Sequence, residues 1–136
     1  MDLKSVLRIS ASGMEAQGTR MRTIAENMAN ADAIPTTPGE EPYRRRMVAF
    51  RNVLDRELGV RTLKADRMVY DKAQPRLVYE PTNPAADDKG YVKAPNVNSL
   101  IEVMDMRQAQ RSYEANLGVI EIAKNMISRT IDILRS

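Results

Sequence analysis

The sequence predicts an elongated α+β fold, in which long helices at the two ends pair as a coiled coil and enclose a small antiparallel β segment. Two observations at the ends and one in the middle support it. Both ends carry apolar residues in a seven-residue repeat, which is typical of helices that pack lengthwise against other helices. The middle combines Pro-rich turns with short alternating runs. We expect helical regions over 1–32 and 96–136 that pair as one domain, and a linker with a small β region over 33–95.

The first helix is predicted from about Leu3 to about Ala31, with Asp2 as its N-cap. That length is roughly 45 Å at the rise of an α-helix. Its methionines at the seam lie seven residues apart, and Met packs well against surfaces that are not identical. The predicted seam positions in this helix are Leu3, Leu7, Met14, Met21, Ile24, Met28 and, near its end, Ala31.

Two glycines, Gly13 and Gly18, lie inside this helix. A helix-interior Gly costs about 1 kcal/mol relative to Ala. Either a neighbouring backbone approaches closely at these positions, or a long helix tolerates them. The sequence leaves both interpretations open.

The middle of the chain begins with a segment, 33–42, that holds three Pro and one Gly and is predicted to be a loop. A strand is predicted next, with inward side chains at Tyr43, Met47 and Phe50. Residues 52–58 are expected to form a short helix or an irregular segment. Strands are then predicted over 60–70 and 74–80, giving a two- or three-stranded antiparallel unit. Such a unit is marginal alone and should pack on helices or neighbouring subunits.

The last helix is predicted to start with a capping box formed by Ser99 and Glu102, and to continue to about Arg135 over roughly 55 Å. Gln110 and Lys124 interrupt its seam. They either fix the register with a partner helix, or face solvent because the seam drifts. The predicted seam positions here are Val103, Met106, Tyr113, Leu117, Ile120, Ile127, Ile131 and Leu134.

These two seams are the candidate functional site, because a narrow apolar seam is buried only against another helix. We therefore predict that the seam residues form contacts between the two helices and between subunits. The low aromatic content, with no Trp and one Phe, also favours thin seams over a large compact core.

Composition argues against catalysis and cofactor binding. The chain has no Cys and no His, which excludes thiolate and imidazole metal ligands, Cys nucleophiles and His bases. No Gly-rich phosphate loop or nucleophile elbow occurs. The adjacent Asp87 and Asp88 lack the ligand spacing of an EF-hand. We predict no catalytic, cofactor-binding or metal-binding residue, no cofactor and no enzymatic activity.

The net charge of +3 and the cluster Arg44–Arg46 come without an aromatic platform or a nucleic-acid-binding motif. We therefore predict no nucleic-acid partner. No apolar run reaches the length of a membrane span, and the start does not read as a secretory leader. Direct membrane insertion and a cleaved signal peptide are not expected.

Three segments resemble a known family. The stretch ISASGMEAQGTRMRTIAENMANAD, over 9–32, resembles the N-terminal signature of bacterial flagellar axial proteins of the rod and hook class. VYEPTNPAADDKGYVKAPNVN, over 78–98, and MDMRQAQRSYEAN, over 104–116, are similar to FlgC-like proteins of the flagellar basal-body rod. The linker departs from the class pattern, since residues 40–42 separate Thr37-Pro38-Gly39 from Tyr43.

The resemblance implies a structural subunit of the proximal rod, which assembles helically with other rod proteins and with copies of itself and transmits torque across the periplasm. It also implies export through the flagellum's own type III apparatus, without a cleaved signal peptide, to the basal body. The alternative is a soluble coiled-coil adaptor or regulatory protein, which would form a discrete dimer.

Overall fold

The computed structural model describes residues 2–136, and its helices and strands confirm the α+β class. The long helices are those expected at the two ends, and the strands lie between them. In chain order the elements are α1 (Leu3–Ala29), β1 (Arg46–Asp55), β2 (Val60–Tyr70), β3 (Arg76–Tyr79), β4 (Tyr91–Ala94) and α2 (Ser99–Arg135).

The chain divides into two compact units. Unit 1 contains the described residues up to Met21, together with Val48–Arg67 and Arg107–Ser136. Unit 2 contains Arg22–Met47 and Met68–Met106. Both helices and the β1–β2 hairpin contribute residues to each unit.

Asp2 caps α1 as the sequence predicts. Its carboxylate accepts a hydrogen bond from the Ser5 backbone N–H at 2.8 Å, and its carbonyl accepts one from the Val6 N–H at 3.1 Å. These bonds satisfy donors that a helix N-terminus otherwise leaves unpaired. The helix ends at Ala29, two residues before the predicted end.

Within unit 1, α1 and α2 pack side by side and run antiparallel. Arg20 donates to the Gln108 side chain at 3.1 Å, and a Cβ on Gly13 would lie 2.9 Å from Nδ2 of Asn116. Position 13 of α1 thus lies opposite position 116 of α2, and position 20 lies opposite position 108. Residue numbers fall along α2 as they rise along α1, so the two helices run antiparallel. The close contact at Gly13 gives that glycine a packing reason.

β1 and β2 form a hairpin, and the prediction of a helix or irregular segment over 52–58 is wrong for most of its length. β1 continues to Asp55, whose side-chain oxygen accepts the N–H groups of Glu57 and Leu58 at 3.1 and 3.3 Å. Gly59 then adopts a φ of 62°, which closes the turn. A polar turn residue and a glycine thus set this turn.

β3 and β4 form a second antiparallel hairpin in unit 2, with Val78 opposite Val92 and Tyr79 opposite Tyr91. The middle of the chain therefore has two separate two-stranded sheets rather than one two- or three-stranded unit. β4 was not among the predicted strands, because four residues after a turn give little periodic signal. Val92 and Ala94 are buried, whereas Tyr79 and Tyr91 meet edge-to-face on the exposed side.

The capping box predicted at the start of α2 is wrong. Asn98 is the N-cap, because its side-chain oxygen accepts the Leu100 N–H at 3.0 Å and its carbonyl accepts the Glu102 N–H at 3.1 Å. The Glu102 side chain is therefore available for another role, described below.

Among residues 2–136, neither α1 nor α2 combines the length and the apolarity that crossing a membrane requires.

Candidate assembly interface

The face of α2 that packs inward in unit 1 is lined largely by small residues. Ala109 and Ala123 are fully buried, and partly buried side chains continue the same line in steps of three and four. Small side chains let two helix backbones approach closely, as the contact between Gly13 and Asn116 shows. The inward line consists of Ala109, Tyr113, Asn116, Ile120, Ala123 and Ile127.

Each heptad of α2 has two seam positions. The inward line and the predicted seam have the same residue at one of these positions and different residues at the other. Tyr113, Ile120 and Ile127 belong to both. Where the sequence analysis placed Leu117, the inward residue is Asn116, one position earlier. Gln110 and Lys124 are exposed on the chain, as expected if the line they occupy is not the inward one.

The predicted seam residues differ widely in exposure. Ile24 is buried. Partly buried positions are Leu3, Leu7, Met14, Met21, Val103, Met106, Tyr113, Ile120 and Ile127. Exposed positions are Met28, Leu117, Ile131 and Leu134. The structure of one chain describes these exposures, and the role of the residues between subunits stays a prediction.

The C-terminal part of α2 extends past the start of α1 in unit 1. Continuing the antiparallel register from Gly13 and Asn116 places Leu3 opposite about residue 126. About nine residues of α2, or about 14 Å, therefore lie beyond the first turn of α1. Ile131 and Leu134 continue the inward line here, and Leu134 is 81% exposed. We call residues 127–135 the overhang.

A second apolar line follows a flank of α2 in unit 1, about 110° around the helix from the inward line. Its members again lie three, four or seven residues apart, and all are exposed, Ile122 by 62%. Exposed apolar residues scattered singly are ordinary, but a line at helical spacing is not scattered. We call this line the outer stripe; its residues are Val119, Ile122, Met126 and Ile133.

Unit 2 contains a buried ion cluster around Glu102, which has no exposed surface. The Arg45 guanidinium binds the Glu102 carboxylate, and it also contacts Asp105 at 3.0 Å and Asp71 at 3.5 Å. Burial alone would lower the pKa of Arg45, but the hydrogen bond to Glu102 and the charges of Glu102, Asp105 and Asp71 together outweigh this, and the pKa is raised. Arg45 therefore stays charged, as a buried carboxylate requires.

Asn27 completes the cluster from the α1 side. Its amide nitrogen donates to the Arg46 carbonyl at 2.8 Å and to Glu102 at 3.1 Å. Its amide oxygen accepts from the Tyr43 hydroxyl and from the Arg46 N–H, both at 2.9 Å. Every hydrogen-bonding site of this buried amide is thus used. The cluster fastens the end of α1, the start of β1 and the start of α2 within unit 2.

This cluster is built to hold its members together, since each charged group already has an opposite partner. The residues between 2 and 136 contain no group of three or more acidic side chains placed to bind a metal ion. The arrangement therefore supports a structural role in this unit.

Neither the cluster nor the inward alanines were predicted, because the predicted seam positions were chosen from the large apolar residues. Arg45 was considered only as part of a basic run, and Glu102 only as a helix cap. A signal was present only for the alanines. Ala109, Asn116 and Ala123 lie seven residues apart, and a line of small residues at that spacing predicts close helix packing.

Comparison with known proteins decides the family. The model of the flagellar basal body rod FlgEFG protein C-terminal region matches residues 88–133. The flagellar basal-body rod protein FlgC of Agrobacterium fabrum is 46% identical over 134 residues, which are 98% of this chain and 96% of the relative. The chain belongs to the FlgC family of flagellar basal-body rod proteins.

Other members of the FlgC family match over similar lengths. The Salmonella typhimurium protein is 38% identical and the match covers 98% of both chains; the Aquifex aeolicus protein is 38% identical and the match covers 97% of both. The match thus includes both helices and both hairpins. It confirms the resemblance that the sequence segments indicated, and it gives no support to a soluble adaptor.

Proposed function

We propose that the chain is a structural subunit of the proximal rod of the bacterial flagellum, and that it assembles helically with other rod proteins and with copies of itself. Membership of the FlgC family supports the structural role. The finer statement, that terminal-helix seams form the contacts between subunits, is supported by the surfaces that one chain leaves uncovered.

The overhang is the observation that carries the proposal. Ile131 and Leu134 lie on the line that packs against α1 earlier in the helix, but here α1 has not yet begun. Burying a Leu or Ile side chain contributes about 1.5–3 kcal/mol. A neighbouring subunit that continues the path of α1 would gain this contribution. Because donor and acceptor surfaces differ, the contact can repeat from copy to copy, and it builds a helical tube where the rotation between copies does not close a ring.

Torque transmission requires that each subunit resist deformation. The close α1–α2 contact in unit 1 and the buried ion cluster in unit 2 both supply contacts that cannot slide without loss. In our proposal these contacts pass torque along the rod across the periplasm.

We further propose that the subunit reaches the basal body through the flagellar export apparatus. The absence of Cys is compatible with this route.

Replacing Leu134 by Asp tests the proposal. Leu134 is 81% exposed on the single chain, so the variant should fold normally. In the rod the new carboxylate would be buried without a partner, so assembly should fail. The measurement is the amount of the subunit in isolated basal bodies, together with motility. Leu117→Asp and Ile127→Asp should also prevent assembly, although Ile127 is partly buried and its change affects the subunit itself.

Ser128→Asp is the matched control, since it adds a carboxylate to the same helix at an exposed polar position. It should leave motility intact. Normal rods built from the Leu134→Asp variant would show that the overhang is not an assembly surface.

A further inference from the structure

The outer stripe of α2 has no partner among the described residues of unit 1. Val119, Ile122 and Met126 are exposed, and their spacing is that of a line which packs against another elongated element. The overhang continues a surface already covered by α1, whereas the outer stripe lies on a different flank of α2, about 110° around the helix. It therefore needs a different occupant.

Unit 1 also presents a groove along the outer side of α1. The β1–β2 hairpin forms its other wall, and a cleft of about 650 Å³ is lined by Ala11, Ser12 and Ala16 from the helix and by Val53 and Leu63 from the strands. A second space of about 350 Å³ adjoins it toward the start of α1. The ion pair of Arg8 with Asp55, at 3.1 Å, borders both spaces.

The stripe and the groove match in length and in relief. The groove follows α1 from Lys4 to Thr19, which is about 22 Å, and the stripe from Val119 to Ile133 is about 21 Å. The groove floor has small side chains, whereas the stripe has β-branched and Met side chains. Large side chains of one element inserting between small ones of another is how helices pack.

The charges at the two surfaces are also complementary. Glu15 and Lys64 line the groove and make no ion pair within the described chain. Arg129 lies beside the stripe on α2 and is likewise without an ion pair among the described residues. The stripe thus brings a cation that the carboxylate of Glu15 in the groove can bind.

Two helical glycines fit the same contact. A Cβ on Gly18 or on Gly118 would meet no atom within 4 Å, in contrast to one on Gly13. Packing inside the chain therefore does not require either glycine, although each weakens its helix by about 1 kcal/mol. Gly118 precedes the stripe residue Val119, and Gly18 lies seven residues after Ala11. Both leave helix backbone open to a neighbouring molecule.

We propose that the outer stripe of α2 in one copy packs into the groove between α1 and the β1–β2 hairpin of a second copy. This inference rests on the proposed role as a rod subunit and adds which surfaces meet. Because stripe and groove are different surfaces, each copy can donate to one neighbour and accept from another.

Disulfide cross-linking tests the pairing directly, because the natural chain has no Cys. A chain carrying both Ala11→Cys and Ile122→Cys should form a ladder of linked dimers, trimers and larger species when basal bodies are oxidised. A second pair, Glu15→Cys with Met126→Cys, gives the same test if the first variant assembles poorly. The matched control, Ala11→Cys with Ser128→Cys, moves one thiol off the stripe and should give no ladder.

The outcomes separate this inference from the proposed function. Motile rods that contain the cysteine variants but give no ladder with either pair would overturn the pairing and leave the rod role intact. Absence of the natural chain from isolated basal bodies would overturn the rod role itself. As a second measurement, Ile122→Asp should reduce incorporation about tenfold or more while the thermal midpoint of the purified subunit stays unchanged.

Discussion

Units 1 and 2 bury different kinds of residue. In unit 2 the fully buried side chains include Val92, Asn27 and Glu102, and the polar ones have hydrogen-bonding partners. In unit 1 the buried residues of the described chain are small, such as Ser5, Ala16 and Ala109, while larger apolar side chains of α2 remain at the surface.

The difference indicates which unit satisfies its buried groups with residues of its own chain. A buried ion cluster is stable only if all its partners come from the same chain, since an unpaired buried charge is costly. Long helices that contact each other through small residues bury little apolar area. They gain more free energy when a neighbouring molecule covers their exposed apolar side chains. Both units expose large apolar side chains, such as Leu100 and Met104 in unit 2. Unit 2 differs in having a buried polar core whose partners all come from its own chain, whereas unit 1, in the described chain, buries only small residues.

The largest test of this contrast is to remove one partner from the ion cluster. Arg45→Met leaves the fully buried carboxylate of Glu102 without its cation, which should lower the free energy of unfolding by about 3–5 kcal/mol. Urea unfolding of the purified subunit measures it. Arg44→Met, at the exposed neighbouring position, should have little effect. Equal losses in the two variants would contradict a special role for the cluster.

A smaller effect should distinguish internal from external helix contacts in unit 1. Gly13→Leu forces a side chain against Asn116 and should lower the free energy of unfolding by about 1–3 kcal/mol. Gly18→Leu, whose Cβ would meet no atom of the described residues within 4 Å, should raise it by up to about 1 kcal/mol because Leu favours helix more than Gly does. Thermal unfolding followed by far-UV circular dichroism compares them. Destabilisation by both would place Gly18 in an internal contact.

The smallest effect concerns the turn of the β1–β2 hairpin. Burial opposes ionisation of Asp55, but hydrogen bonds from the Leu58 N–H and from Arg8 outweigh it and lower the pKa of this carboxyl. A lowered folded-state pKa stabilises the fold above the unfolded value, near 4, and this stabilisation is lost as the pH falls through the folded value. Asp55→Asn should remove that part of the acid sensitivity.

Thermal midpoints of the natural chain and of Asp55→Asn, recorded between neutral and acidic pH, provide the measurement. The two curves should converge at low pH, where the natural carboxyl is protonated. A constant gap between them at every pH would mean that the ionised form of Asp55 contributes nothing.

The sequence was sufficient for the helices because their signals are long and repeated. The Asp2 cap and the extent of α1 and α2 follow from residues close together in the chain. The residues of the inward line followed only in part, because Leu117 and Asn116 differ by one position and only tertiary contacts decide which of them faces α1. The inward line of the single chain has the same seven-residue period as the predicted seam, and the role of the seam residues between subunits stays a prediction.

The ion cluster could not be predicted from local patterns. Asn27, Arg45 and Glu102 are far apart in sequence, and each has an ordinary local interpretation as a helix residue, a member of a basic run or a cap. Their pairing depends on how the linker returns to the helices. The two-stranded sheets had the same difficulty, because the pairing of a four-residue strand such as β4 is decided by its partner.

The fully hydrogen-bonded amide of Asn27 affects how fast this side chain can hydrolyse. Asparagine side chains hydrolyse slowly to aspartate over the life of a protein. At Asn27 that reaction would set a new carboxylate against Glu102 and remove two donors. Helical backbone and exclusion of water both slow the reaction, and Asn27 is 1% exposed within α1. The same burial that fastens unit 2 thus protects the Asn27 amide from hydrolysis.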